Sequence, residues 1–179
     1  MIHHLVITAV GSDRPGICNH LTQVVTQSGG NIIDSRIALF GKEFTLIMLV
    51  SGKMNTITRI ETLLPTTGVE HDLLIVMKRT APHQAPTYTY KVDCNIEADD
   101  RLGLTEAITQ FYSNHHINIS ELSAQTIKGA DSGVDQFHIS ISGLTEAEND
   151  TTKLQTAFQR LCDMLSVKGE INIQEKTEH

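Results

Sequence analysis

A short motif occurs twice in this chain at a fixed spacing, and that repeat limits the possible fold more than any other feature. Asp13-Arg14-Pro15-Gly16 returns 87 residues later as Asp100-Arg101-Leu102-Gly103. In the same register Thr22-Gln23 matches Thr109-Gln110, and Asn31-Ile32 matches Asn118-Ile119. Apolar positions agree too, Leu21 with Ile108 and Val24 with Phe111. Seven identities in one ungapped register, with matching hydrophobic phase, indicate duplication of one structural unit. The register breaks after residue 128, where the second copy carries extra loop residues, Gly129 to Gln136, and is expected to have the longer second helix.

Each copy reads β-α-β-β-α-β. Leu5-Val6-Ile7-Thr8-Ala9 forms the first strand of copy one, and Val92, Cys94 and Ile96 alternate with polar neighbours in copy two. The first helices carry Ile17, Leu21, Val24 and Val25 in one copy and Leu104, Ile108, Phe111 and Tyr112 in the other. Both stripes suit a helix with one face on a sheet. Gly29-Gly30 stops the first helix, and strands follow at 32–40 and 44–50 around a Gly41-Lys42 turn. Ile57, Ile60 and Leu64 predict the second helix, ended by Pro65 and Gly68, and 73–77 is the last strand. Copy two closes with a helix marked by Leu154, Phe158, Leu161 and Leu165, then a strand with Ile171 and Ile173. The expected fold class is α+β, two tandem ferredoxin-like βαββαβ domains with helices on one face of antiparallel sheets. Domain one covers 1–80, a Pro-containing linker 81–87, and domain two 88–179.

The 179 residues suffice for two such small units. The formal charge of −7 disfavours direct DNA binding, which needs a basic patch. Cys18, Cys94 and Cys162 lie far apart, which argues against a disulfide framework and for a reducing compartment. With neither a long apolar run nor a leader-like N-terminus, a cytoplasmic location is expected.

The repeated Asp-Arg-x-Gly lies between a strand and a helix. Asp13 is a natural N-cap, Pro15 suits a first helical turn, and Gly16 and Gly103 leave the backbone approachable. Free amides and the helix dipole there would favour a ligand carboxylate. Helix initiation alone is the competing explanation. Asn31 and Asn118 open the next strand and offer both a donor and an acceptor, or serve simply as turn residues. The candidate ligand-binding set is therefore Asp13, Arg14, Gly16, Asn31 and Ile32, with Asp100, Arg101, Gly103, Asn118 and Ile119 in the second copy.

With this loop and Asn-Ile pattern in both units, the chain resembles tandem ACT domains over essentially its whole length. Three stretches, 5–17, 43–49 and 72–80, resemble more narrowly the ACT-type repressors of the glycine cleavage operon in gamma-proteobacteria. ACT domains are regulatory modules that bind small ligands, often amino acids. The resemblance implies a repressor without a DNA-binding domain, which contacts a LysR-type activator and is relieved by glycine. It implies no catalytic residues, no metal and no cofactor beyond such an effector, and it is compatible with a homo-oligomer. Leu102 departs from the motif's proline, which sets the second loop apart.

Other chemistry fits less well. His3-His4 and His115-His116 are adjacent pairs without metal-ligand spacing, so they are expected at the surface. The three cysteines are expected to be buried and inert. An acylphosphatase-type enzyme would use Arg14 and Asn31, but its glycine-rich phosphate cradle is absent. A purely structural interaction module is the remaining alternative.

Overall fold

In a computed structural model, residues 1–82, 90–128, 133–146 and 150–175 are described. They form two compact units, Met1–Gln84 and Ala85–His179. Linker residues 83–87 and loop residues 129–132 lie outside the described set.

The first unit runs β1 (His3–Ser12), α1 (Ile17–Gln27), β2 (Asn31–Phe40), β3 (Glu43–Gly52), α2 (Met54–His71) and β4 (Leu73–Thr80). The second runs β5 (Tyr90–Asp99), α3 (Leu104–Asn114), β6 (Asn118–Ile127), β7 (Gln136–Thr145), α4 (Thr151–Leu165) and β8 (Lys168–Glu175). The sheet orders are β2-β3-β1-β4 and β6-β7-β5-β8, with every pairing antiparallel. This is the expected ferredoxin-like βαββαβ fold, twice.

Strand, helix and strand repeat 87 residues apart through β2 and β6. The copies then diverge, because two residues join β2 to β3 while eight join β6 to β7. Even a bulge is duplicated: the register slips between Ile32 and Asp34, and again between Ile119 and Glu121.

Each unit has its own core on the helix-covered side of its sheet. Leu5, Ile7 and Ala9 alternate inward beneath Ile17, Leu21, Val25, Ile57, Ile60 and Leu64. Val92, Cys94 and Ile96 do the same beneath Leu104, Ile108, Phe111, Tyr112, Leu154 and Phe158. Tyr112 is fully buried, and its hydroxyl donates to the carbonyls of Val92 (3.2 Å) and Ile141 (3.0 Å). A buried phenol needs such partners.

The helix-free sides of the two sheets differ. In the first unit it carries Val6, Val10, Ile47, Leu49, Leu74 and Val76, with Thr8 and Thr45 among them and Asp34, Arg36 and Lys78 on the edge strands. The same side of the second unit carries Asp93, Asn95, Glu97, His138, Ser140 and Ser142.

Several local expectations need correction. Helix α2 does not stop at Pro65 or Gly68 but continues to His71, ending on Asp72 in the left-handed region (φ 55°). A proline costs one hydrogen bond, and the buried face of Ile57, Ile60 and Leu64 outweighs that loss. Gly68 stays helical and lets β4 approach, since a Cβ there would meet the Leu73 carbonyl at 3.0 Å. Helix α4, at 15 residues, is shorter than the 18-residue α2, not longer. Its start is set by Asp150, which accepts hydrogen bonds from the Thr152 and Lys153 amides. No helix is long and apolar enough to cross a membrane, among the described residues.

Candidate functional site

The duplicated loops share one geometry. Gly16 (φ 90°) and Gly103 (φ 88°) are the N-caps of α1 and α3, both left-handed. Neither helix start has a side-chain cap, so Asp13 is not the N-cap that the motif predicted. It lies too far upstream once the loop makes its left-handed turn at Gly16. A Cβ on either glycine would meet nothing within 4 Å. Backbone handedness therefore requires glycine here, while the space above the first helical turn is open.

Each loop is pinned by one backbone contact. The Asp13 amide donates to the Lys42 carbonyl at 3.1 Å, and the Asp100 amide to the Asp135 carbonyl at 2.9 Å. The side chains then part ways. Arg14 reaches the end of α2, donating through Nη2 to His71 Nδ1 (2.8 Å) and to the His71 carbonyl (3.1 Å). A guanidinium has only donors, so Nδ1 must be the accepting, unprotonated ring nitrogen. His20 sits edge-on to His71 with ring centroids 4.5 Å apart. In the second copy Arg101 and Leu102 are exposed, and Asp100 accepts a hydrogen bond from Thr126 (3.2 Å).

Asp13, Arg14 and Gly16 do not meet Asn31 and Ile32 within a unit. Strand β1 leads into the loop at Ser12, whereas Asn31 pairs with Ser51, which pairs with His4 at the other end of β1. The clusters are thus about 25–30 Å apart, the length of that strand. The same separation holds for Asp100, Arg101 and Gly103 against Asn118 and Ile119, since Asn118 pairs with Leu144, opposite Lys91. Asn31 is exposed, and Ile32 packs against the core. Ile119 is 37% exposed. One small amino acid can touch only one cluster of a unit.

The cysteines are poor nucleophiles. Burial pushes the Cys94 thiol up to about 12. Burial also raises Cys162, helped by Asp163, and burial with the Asp13 carboxylate raises Cys18. The paired histidines are less exposed than expected: His3, His4 and His115 are half-buried. His115 Nδ1 contacts the Phe111 carbonyl at 2.8 Å, and its ring packs on that of Phe111. Sequence reasoning missed the Arg14–His71 contact, which links positions 57 residues apart. It also missed the apolar helix-free face of the first sheet. That face has a signal, because Leu46-Ile47-Met48-Leu49-Val50 and Leu73-Leu74-Ile75-Val76-Met77 are apolar at both parities.

Comparison with known proteins agrees with this architecture. The ACT domain family profile matches residues 3–78. The glycine cleavage system transcriptional repressor of Escherichia coli (strain K12) is 44% identical over 177 residues, covering 99% of this chain and 93% of that protein. A crystal structure assigned to a glycine cleavage system transcriptional repressor is 52% identical, with TM-score 0.72 over 98% of this chain and 99% of the other. A protein of unknown function from Galdieria sulphuraria shares the fold, at TM-score 0.76 and 23% identity over 99% of this chain and all of that one. The close relatives are named as transcriptional repressors, so the role is regulatory and not catalytic. The chain belongs to the family of glycine cleavage system transcriptional repressors, built from tandem ACT domains.

Proposed function

We propose that this chain represses the glycine cleavage operon from the cytoplasm by contacting a LysR-type activator, and that glycine is the effector that relieves repression. The observation that carries the reading is the 44% identity to the Escherichia coli repressor over nearly the full length of both chains. The net charge of −7 favours action through a protein partner over direct phosphate contact. The loop at Asp13 is the better effector site of the two duplicated loops. The first turn of α1 has no side-chain cap, so its amides and dipole suit a carboxylate, and Asp13 can take an ammonium. The corresponding Asp100 is engaged by Thr126. Effector binding changes the activator contact only insofar as glycine prefers one state of the repressor.

Calorimetric titration of the full chain with glycine, with serine and alanine as controls, tests the sensing step. Selective saturable binding is expected, abolished in Asp13→Ala. Because Asp13 caps nothing, that variant should keep its stability within about 0.5 kcal/mol. No glycine binding, or full binding by Asp13→Ala, overturns this site. An operator mobility shift tests the partner step: the chain should alter the activator–DNA complex and leave bare DNA unmoved. An enzyme of acylphosphatase type would instead turn over an acyl phosphate, and a purely structural module would bind the activator without response to glycine.

A further inference from the structure

We propose that the helix-free face of the first sheet is a dimer interface, on which a second copy of this chain packs through the same face. The face carries Val6, Val10, Ile47, Leu49, Leu74 and Val76. Ile47, Leu74 and Val76 remain 45%, 68% and 57% exposed. A solvated antiparallel sheet face is normally polar, and the second sheet of this chain obeys that rule. The first sheet breaks it with Ile47 and Leu49 on β3, Leu74 and Val76 on the β4 edge, and Val6 and Val10 flanking Thr8 on β1. A contiguous apolar patch of that kind marks an interaction surface.

The arrangement of charges selects a second copy as the occupant. Asp34, Leu49, Val6 and Lys78 form one row across the sheet, from the β2 edge to the β4 edge. A two-fold axis parallel to the strands lays the partner's β2 over β4 and its β3 over β1. Asp34 then faces Lys78 of the partner subunit, and Lys78 faces the partner's Asp34, in the same row. The central positions bring Leu49 over the partner's Val6, so apolar residues meet apolar residues. That row is self-complementary in charge and hydrophobicity, as an isologous interface must be. In the adjacent row Ile47 meets the partner's Thr8, and Arg36 lies over the partner's Val76 with its guanidinium 4.0 Å from its own Asp34. A shallow concavity of ≈ 340 Å³ bordered by Val6, Asp34, Ile47 and Leu49 gives interdigitating side chains room to seat. Four strands about 4.8 Å apart, each about eight residues long, give a face near 500 Å². Two such faces bury about 1,000 Å², the threshold for a specific dimer.

Sedimentation velocity of the full chain across a concentration series tests this. The wild type should be a reversible dimer. Ile47→Glu should be monomeric with an unchanged far-ultraviolet circular dichroism spectrum, because its side chain leaves the helix-covered core untouched, and its melting temperature should no longer rise with protein concentration. Asp34→Lys and Lys78→Asp should each weaken dimerisation about tenfold, since symmetry places each change twice. The double variant Asp34→Lys/Lys78→Asp should recover the wild-type association. A wild type that stays monomeric overturns the proposal, whether the face is bare or covered from within the chain. A dimer indifferent to Ile47→Glu, or a double variant no better than its singles, overturns it as well. Glycine binding and operator repression are separate readouts, so the effector reading stands or falls independently.

Discussion

At His116 the second copy does with a histidine what the first does with a glycine. Helix α1 ends in a six-to-one bond from the Gly30 amide to the Val25 carbonyl and a bond from Gly29 to Thr26, with Gly29 at φ 86°. Helix α3 repeats both bonds, from Ile117 to Tyr112 and from His116 to Ser113, with His116 at φ 53°. An L-residue held left-handed costs about 1 kcal/mol relative to glycine. His116→Gly should therefore stabilise the protein by about 0.5–1 kcal/mol, seen as a higher denaturant midpoint with an unchanged slope. A neutral or destabilising result would mean that His116 makes a compensating contact.

Helices and strands were largely legible because each buries one face with its own period. The Ile17, Leu21, Val25 stripe and the Val92, Cys94, Ile96 alternation both point into cores. Helix α2 was not legible past Pro65, because tertiary burial overrides a local breaker. The candidate site was legible as a pair of loops, through the repeated Asp-Arg-x-Gly. It was not legible as a cluster, because the sequence interval from Gly16 to Asn31 hides that α1 carries the chain back along β1. Another long-range tie joins α2 to β4: Arg79 donates to both carboxylate oxygens of Glu61, at 2.8 and 2.6 Å. That hydrogen-bonded guanidinium holds the Glu61 carboxyl below its usual range. A depressed folded-state value gives stability that is present above the ordinary glutamate value and is lost as pH falls through the depressed one. Glu61→Gln should thus cost up to about 1 kcal/mol at pH 7 and nothing at a pH below both values. Denaturant titrations of wild type and variant across that range supply the check, and a pH-independent difference would sink the assignment.

At the scale of the whole molecule, the chain carries two complete cores in succession, one per unit. Each unit closes its own four-stranded sheet and buries its own helices. Fragments 1–84 and 85–179 should therefore each unfold in a single cooperative transition, followed by circular dichroism. A fragment without a transition would show that its core is incomplete alone. The unequal hairpins have a practical consequence for the intact chain. Between β6 and β7 the second copy has accommodated six more residues than the first while strand, helix and strand keep their spacing. Such a tip is a permissive point for grafting. A fluorophore or small reporter inserted between Ile127 and Gln136 would leave the β6–β7 pairing of the second sheet intact, and effector occupancy could then be followed by light in a protein that performs no turnover of its own.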